Sequence, residues 1–215
     1  MANKTVISKI NKNGVLLVFP IKNSPEPNSA WAEIYPRKKM RWEWNDSGDD
    51  SVFKMWSTMK ELSQGGEVVY SKWYQGRATF FSRELFQAIL CVYHHHGKFN
   101  EPLSREARNI FSELEMDSPL STKQLKKRTE LQGRFNESSY SRAMKLLFFR
   151  FLIVAYGEVD DGAFPSLAVG ATQLLYEELW NQAQNDDVKD AQAVIDRLMP
   201  KETKFRSFFD KNLKV

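Results

Sequence analysis

Between Ser118 and Val169 the spacing of apolar residues changes period, and with it the element that the chain is expected to form. Tyr140, Ala143, Met144 and Leu147 fall at i, i+3, i+4 and i+7, a single apolar stripe at the helical period. Upstream, Ser121 stands three residues before Gln124, the capping-box spacing, so a short helix is expected to start at about Thr122. Gly133 suits the turn that follows, and Asn136 is placed to cap the longer helix. Phe151 to Val154 is apolar and partly β-branched, Asp160-Asp161-Gly162 has turn chemistry, and Phe164 to Val169 returns as a second strand. An earlier helix carries Leu103, Ala107, Ile110, Phe111 and Leu114 on one side. Helix, short helix, longer helix and hairpin form the order of a winged helix-turn-helix, the hairpin being the wing.

Elsewhere the same periods predict a mixture of strands and helices. Residues 1 to 14 are polar and expected to fray, and Val15 to Phe19 is a short buried strand ended by Pro20. Ser29 caps a brief helical turn that Pro36 closes. Arg37 to Trp44 places four cations beside Trp42 and Trp44, a mixture that suits either nucleic-acid stacking or an edge strand blunted by charge. Asp46 to Asp50 is a turn, and Val52, Met55, Trp56, Met59 and Leu62 repeat helically up to Gly65-Gly66. Glu67 to Tyr74 and Gly76 to Phe81 predict a β-hairpin. Ser82 then caps a helix whose buried face is Leu85, Phe86, Ile89, Leu90 and Tyr93. Ala171 to Asn185 and Asp187 to Met199 are helical by pattern, and a tail with Lys204, Phe205, Arg206, Phe208 and Phe209 is expected to pack back. The expected fold class is therefore α+β, with a mixed α/β region at 1–98, a winged helix-turn-helix at 99–169, and C-terminal helices with a basic tail at 170–215.

Charge singles out one face. Residues 121 to 150 carry eight Lys and Arg against Glu130 and Glu137, a net of +6, whereas the whole chain is only +4. At about 100° per residue, Ser138, Ser141, Arg142 and Lys145 lie opposite the apolar stripe of the longer helix. Small and cationic side chains there suit phosphates and base edges in a major groove. Lys123, Lys126, Lys127, Arg128 and Arg134 are the candidates for flanking phosphates. Duplex DNA is the partner this pattern favours. A wing carrying Glu158, Asp160 and Asp161 would be repelled by a phosphate backbone, so the helix has to carry the contact. Phe149 falls on the same outer face as Arg142 and Lys145, which keeps open a protein partner or self-association there.

Composition narrows the chemistry. With 42% hydrophobic residues the chain can build a core, and its single Cys91, set among Ile89, Leu90, Val92 and Tyr93, is a packed hydrophobe. His94-His95-His96 cannot all face one ion from a helix, so no metal site is expected. Neither a glycine-rich phosphate loop nor a nucleophile elbow occurs, so no cofactor is expected and no catalytic residue can be assigned. No run reaches ~18 apolar residues, and the N-terminal residues lack signal-peptide order, so a cytoplasmic location without membrane contact is expected.

The stretches SPLSTKQLKKRT, SRAMKLL and FLIVAYGEV resemble the winged-helix proteins of the AlkZ-type family, most clearly from about Leu103 to Leu167. That family includes bacterial DNA glycosylases that unhook interstrand crosslinks, together with smaller AlkZ-related members. The residues favour a non-catalytic winged-helix protein that binds duplex DNA; the alternative that the resemblance implies is a DNA-repair glycosylase, and a second alternative is a winged-helix module for protein contacts. Family glycosylases act through a short Gln-x-Gln type motif in an N-terminal winged helix. Here the one such triplet, Gln182-Ala183-Gln184, lies after the wing on an acidic helix, and no catalytic role is carried over to it.

Overall fold

A computed structural model of the chain describes residues 2–41, 50–159 and 166–213. Its centre is a six-stranded antiparallel sheet in the order β1-β3-β2-β5-β6-β4, formed by β1 (Val15–Leu17), β2 (Val68–Ser71), β3 (Thr79–Ser82), β4 (Leu120–Ser121), β5 (Ile153–Val159) and β6 (Ser166–Ala171). Helices α1 (Ala2–Asn13), α2 (Ala30–Ile34), α3 (Ser51–Gly65) and α4 (Arg83–His95) come from the first half of the chain. They are followed by α5 (Arg105–Met116), α6 (Thr122–Arg128), α7 (Glu137–Phe149), α8 (Thr172–Leu175), α9 (Glu177–Asn185), α10 (Val188–Leu198) and α11 (Lys204–Leu213). The class is α+β, as the periodicities imply. Strands from both halves share the one sheet, joined where Tyr70 of β2 pairs with Ala155 of β5.

Local chemistry explains most boundaries. Ser29, Ser82, Ser104 and Ser121 each accept a hydrogen bond from the backbone N–H three residues on, supplying a partner for a donor left over in the first helical turn. At α6 the box is complete, because Gln124 Oε1 also accepts from Ser121 N at 2.7 Å. Ser121→Ala should therefore lower stability by about 1 kcal/mol, measured by urea denaturation. A loss beyond about 2 kcal/mol would mean that Ser121 does more than cap.

Between α5 and β6 the observed succession is helix, two-residue strand, short helix, longer helix and hairpin. β4 lies on the outer side of β6, with Leu120 opposite Val169 and Ser121 opposite Ala168. The stripe of α7 is buried as expected: Tyr140, Ala143, Met144 and Leu147 are all in the core. The Tyr140 hydroxyl donates to Thr122 O at 3.4 Å and so links α7 to α6. The hairpin starts at Ile153, because Phe151 adopts φ +52° in the turn after α7. Its register shifts between Ala155 and Glu158 at a bulge. Asp160, Asp161, Gly162 and Phe164, assigned to the wing from sequence, lie outside the described residues.

Four local expectations change. Residues 2 to 13 form a helix, because Val6 and Ile10 are one turn apart and both fully packed, enough to dock a mostly polar segment. The described part of the basic, aromatic stretch, Arg37 to Arg41, is not a strand. Its Met40 N–H and carbonyl are taken by the Asn23 side chain at 2.7 and 3.0 Å, and Trp42 and Trp44 lie outside the described residues. The helix expected from Ala171 to Asn185 breaks at Tyr176, which leaves helical geometry while its hydroxyl donates to Val68 O at 3.1 Å. Finally, Asn136 sits at the N-terminus of α7 without capping it, and donates instead to Gln132 O at 3.0 Å.

The core joins the two halves through aromatic rings. Phe151 is stacked on Trp73 at 5.6 Å and meets Phe81 and Phe86 edge-on at 5.3 and 5.2 Å. On the edge of this cluster, Phe208 of α11 lies 4.9 Å from both Trp73 and Tyr74 and 6.0 Å from Phe149. The tail thus packs back, and the Phe149 ring has an intramolecular neighbour.

Candidate nucleic-acid interface

The sequence-derived basic residues divide into two groups once their partners are known. Lys126 is held by Glu137 at 2.7 Å and lies over the Tyr140 ring at 4.8 Å. Arg128 pairs with Asp117 at 2.6 Å and with Glu113 at 3.7 Å. Arg150, a further cation of this segment, is nearly buried and bonded to Glu101 at 2.8 Å, where it ties the end of α7 to the loop before α5. Exposed surface pairs contribute ~0–1 kcal/mol, so Lys126 and Arg128 are held in place without being removed from reach of an anion.

Lys127, Arg134, Arg142 and Lys145 differ, since none of them has a carboxylate at ion-pair distance among the described residues. All four are exposed, as are Lys123 on α6 and Ser138 on α7. Ser141 is half-buried. Arg142 donates to Ser139 Oγ at 3.4 Å, a contact too long to hold the guanidinium against a phosphate. Along α7, then, the buried stripe and the polar face lie on opposite sides, and the polar face keeps its charge.

Two neighbours of this face come only from the folded chain. The tight turn Tyr74–Gly76 lies beside the second half of α7: a Cβ placed on Gly76 would be 3.9 Å from Lys145 Cε. Exposed Arg77 directly follows that turn, a residue that no period or spacing in the sequence connects with α7. With α11 over Phe149 and the Tyr74–Gly76 turn beside Lys145, the C-terminal part of α7 is flanked, whereas its N-terminal half is open. At the other end, Phe135 projects fully exposed from the turn between α6 and α7.

Of the three carboxylates assigned to the wing from sequence, Glu158 is the one within the described residues. Glu158 is half-buried and lies within electrostatic reach of Lys72 and Tyr70. Burial lowers the Lys72 pKa and Glu158 partly offsets this, so that carboxylate is engaged inward.

The remaining candidates fit packing. Burial raises the Cys91 thiol pKa, and its Sγ donates to Asp186 O at 3.4 Å. His94 is wedged between Phe99 at 4.5 Å and Trp180 at 4.8 Å, and burial lowers its pKa, whereas His95 and His96 are exposed. No group of three His, Cys, Asp or Glu able to hold a metal occurs among the described residues. Gln182 and Gln184 are exposed on α9, two positions and so about 200° apart around the helix, and do not converge on one point. Gln182 donates to Glu178 at 3.3 Å.

A family model described as AlkZ related matches residues 3–201. The chain belongs to the AlkZ-related family. The AlkZ-related match begins in α1 and runs through α10, so the N-terminal half carries the family pattern as well as the segment around α7. No curated protein and no solved structure matches the chain significantly. No described helix is long and apolar enough to cross a membrane.

Proposed function

We propose that this AlkZ-related protein binds duplex DNA non-catalytically, with residues 99–169 acting as a winged helix-turn-helix whose α7 enters the major groove. The observation that carries this reading is the set of four exposed cations on α6, on α7 and in the turn between them, Lys127, Arg134, Arg142 and Lys145, without carboxylate partners among the described residues. Membership of a family named for its relation to AlkZ points the same way. Cations left unpaired next to an exposed helix face create a local positive field for a polyanion. Ser138 and Arg142 occupy the open, N-terminal half of α7, the part of a recognition helix that meets base edges. Arg77 and Lys145 at the flanked end suit the adjacent phosphates, with Lys123, Lys126 and Arg128 further along the backbone.

The test is the salt dependence of binding to a short duplex. Each phosphate neutralised contributes about −0.9 to the log–log slope, so four contacts give about −4. Arg142→Ala should leave thermal stability within about 0.5 kcal/mol of the parent, as expected of an exposed site. It should weaken duplex binding by about 1–3 kcal/mol if the guanidinium reads a base, or reduce the slope by about 0.9 if it meets phosphate. Absence of duplex binding at ~50 mM salt, where such contacts are strongest, would overturn the proposal.

A further inference from the structure

Phe135 is the most exposed large apolar residue described, at 101% of its reference surface, and the chain holds it outward on a fixed turn. Leu131 N–H donates to Lys126 O at 2.9 Å, and Leu131 packs against the core at the base of the turn. Asn136 N–H donates to Gly133 O at 3.1 Å, and its side-chain amide donates to Gln132 O at 3.0 Å. Gly133, at φ +85°, makes the reversal possible. The Asn136 side chain, which the sequence places as a helix cap, is instead spent on bracing this loop. The apolar ring therefore stands at the tip of a braced turn.

Its surroundings indicate what it meets. From Lys127 to Lys145 there are five Lys and Arg against Glu130 and Glu137, and Glu137 is already neutralised by Lys126. Arg134 adjoins Phe135 and is exposed, and Lys127 on α6 and Arg142 in the N-terminal half of α7 lack carboxylate partners among the described residues. An apolar protein pocket or lipid interior would have to desolvate these cations without return. A nucleic acid offers both complements at once, phosphates for the cations and a base face for the ring.

Resting on the DNA-binding reading above, we infer that Phe135 is a stacking wedge that enters the duplex at a disrupted base step. The protein thereby prefers DNA with an unpaired or missing base to intact duplex. Inserting a ring into an intact stack costs unstacking, whereas a gap or abasic site has lost that stacking already, so the same contact gives more there.

The experiment uses the full chain with two labelled duplexes of one sequence, one intact and one with a single abasic site opposite 2-aminopurine. The parent should bind the abasic duplex at least about ten-fold more tightly and change the 2-aminopurine fluorescence. Phe135→Ala should abolish both the preference and the fluorescence change while keeping the intact-duplex affinity, its salt slope and the melting temperature. Phe135→Trp should retain the preference. If the parent shows no preference, or Phe135→Ala keeps it, the wedge is overturned and duplex binding stands. Equal weakening on both duplexes would make Phe135 an ordinary interface contact, and loss of self-association with the preference intact would make it a protein contact, each overturning the inference. If the parent binds neither duplex at low salt, the DNA-binding reading itself fails.

Discussion

Phe151→Ala is expected to destabilise the protein by about 3–5 kcal/mol, the range for truncating a buried aromatic side chain. Phe151 is fully buried and touches rings contributed by the other half of the chain: Trp73, Phe81, Phe86 and Tyr93. Removing its ring leaves a void that four large, mutually packed aromatic side chains cannot easily collapse into, so the cavity adds to the lost burial. The backbone gives the prediction a second, independent part. Phe151 adopts φ +52°, a left-handed conformation that glycine tolerates and alanine does not favour. Phe151→Gly should then be no less stable than Phe151→Ala, the reverse of the usual order in a helix or strand. Urea denaturation followed by tryptophan fluorescence measures both, with Trp73 stacked directly on the altered site. A loss for Phe151→Ala below about 1 kcal/mol would show that the ring cluster does not hold the two halves together.

The largest effect on binding is expected from Arg134→Ala, Arg142→Ala and Lys145→Ala combined. All three side chains are exposed, and none is joined to a carboxylate among the described residues, so their loss should leave the melting transition nearly unchanged. If each contributes one phosphate contact, the salt slope falls by about 2.7 and affinity near 0.1 M salt drops roughly 10²–10³-fold. Titrations of one duplex at several salt concentrations separate the slope from the intercept. A triple variant that binds with the parent slope would place the DNA surface elsewhere. Lys126→Ala makes a useful contrast, because Lys126 already serves Glu137.

Much of the fold was legible because its signals are local. Ser29, Ser82 and Ser121 stand at helix starts and cap them, and the buried stripe of α7 follows from four positions within eight residues. Helix α1 was not legible, since Val6, Ile7 and Ile10 are a sparse apolar signal whose value depends on what they dock against. Nor was the break at Tyr176, where a hydroxyl reaches Val68 O, more than a hundred residues away in sequence. The candidate surface divides in the same way. Opposite faces of α7 follow from helical period, so Ser138, Arg142 and Lys145 could be named from sequence. That Lys126 and Arg128 are held by Glu137 and Asp117, each eleven positions distant, depends on how α5, α6 and α7 pack. The turn that precedes Arg77 lies beside Lys145 only because the fold brings the connection between β2 and β3 alongside α7.

The outer strands of the sheet limit how copies of this molecule can associate. β4 is two residues long, and β1 is three residues long with Leu17 N–H already donating to Asn28 O at 3.0 Å. A sheet that ends in such short, partly occupied strands gives an incoming chain little free backbone to extend, and so resists growth into fibrils.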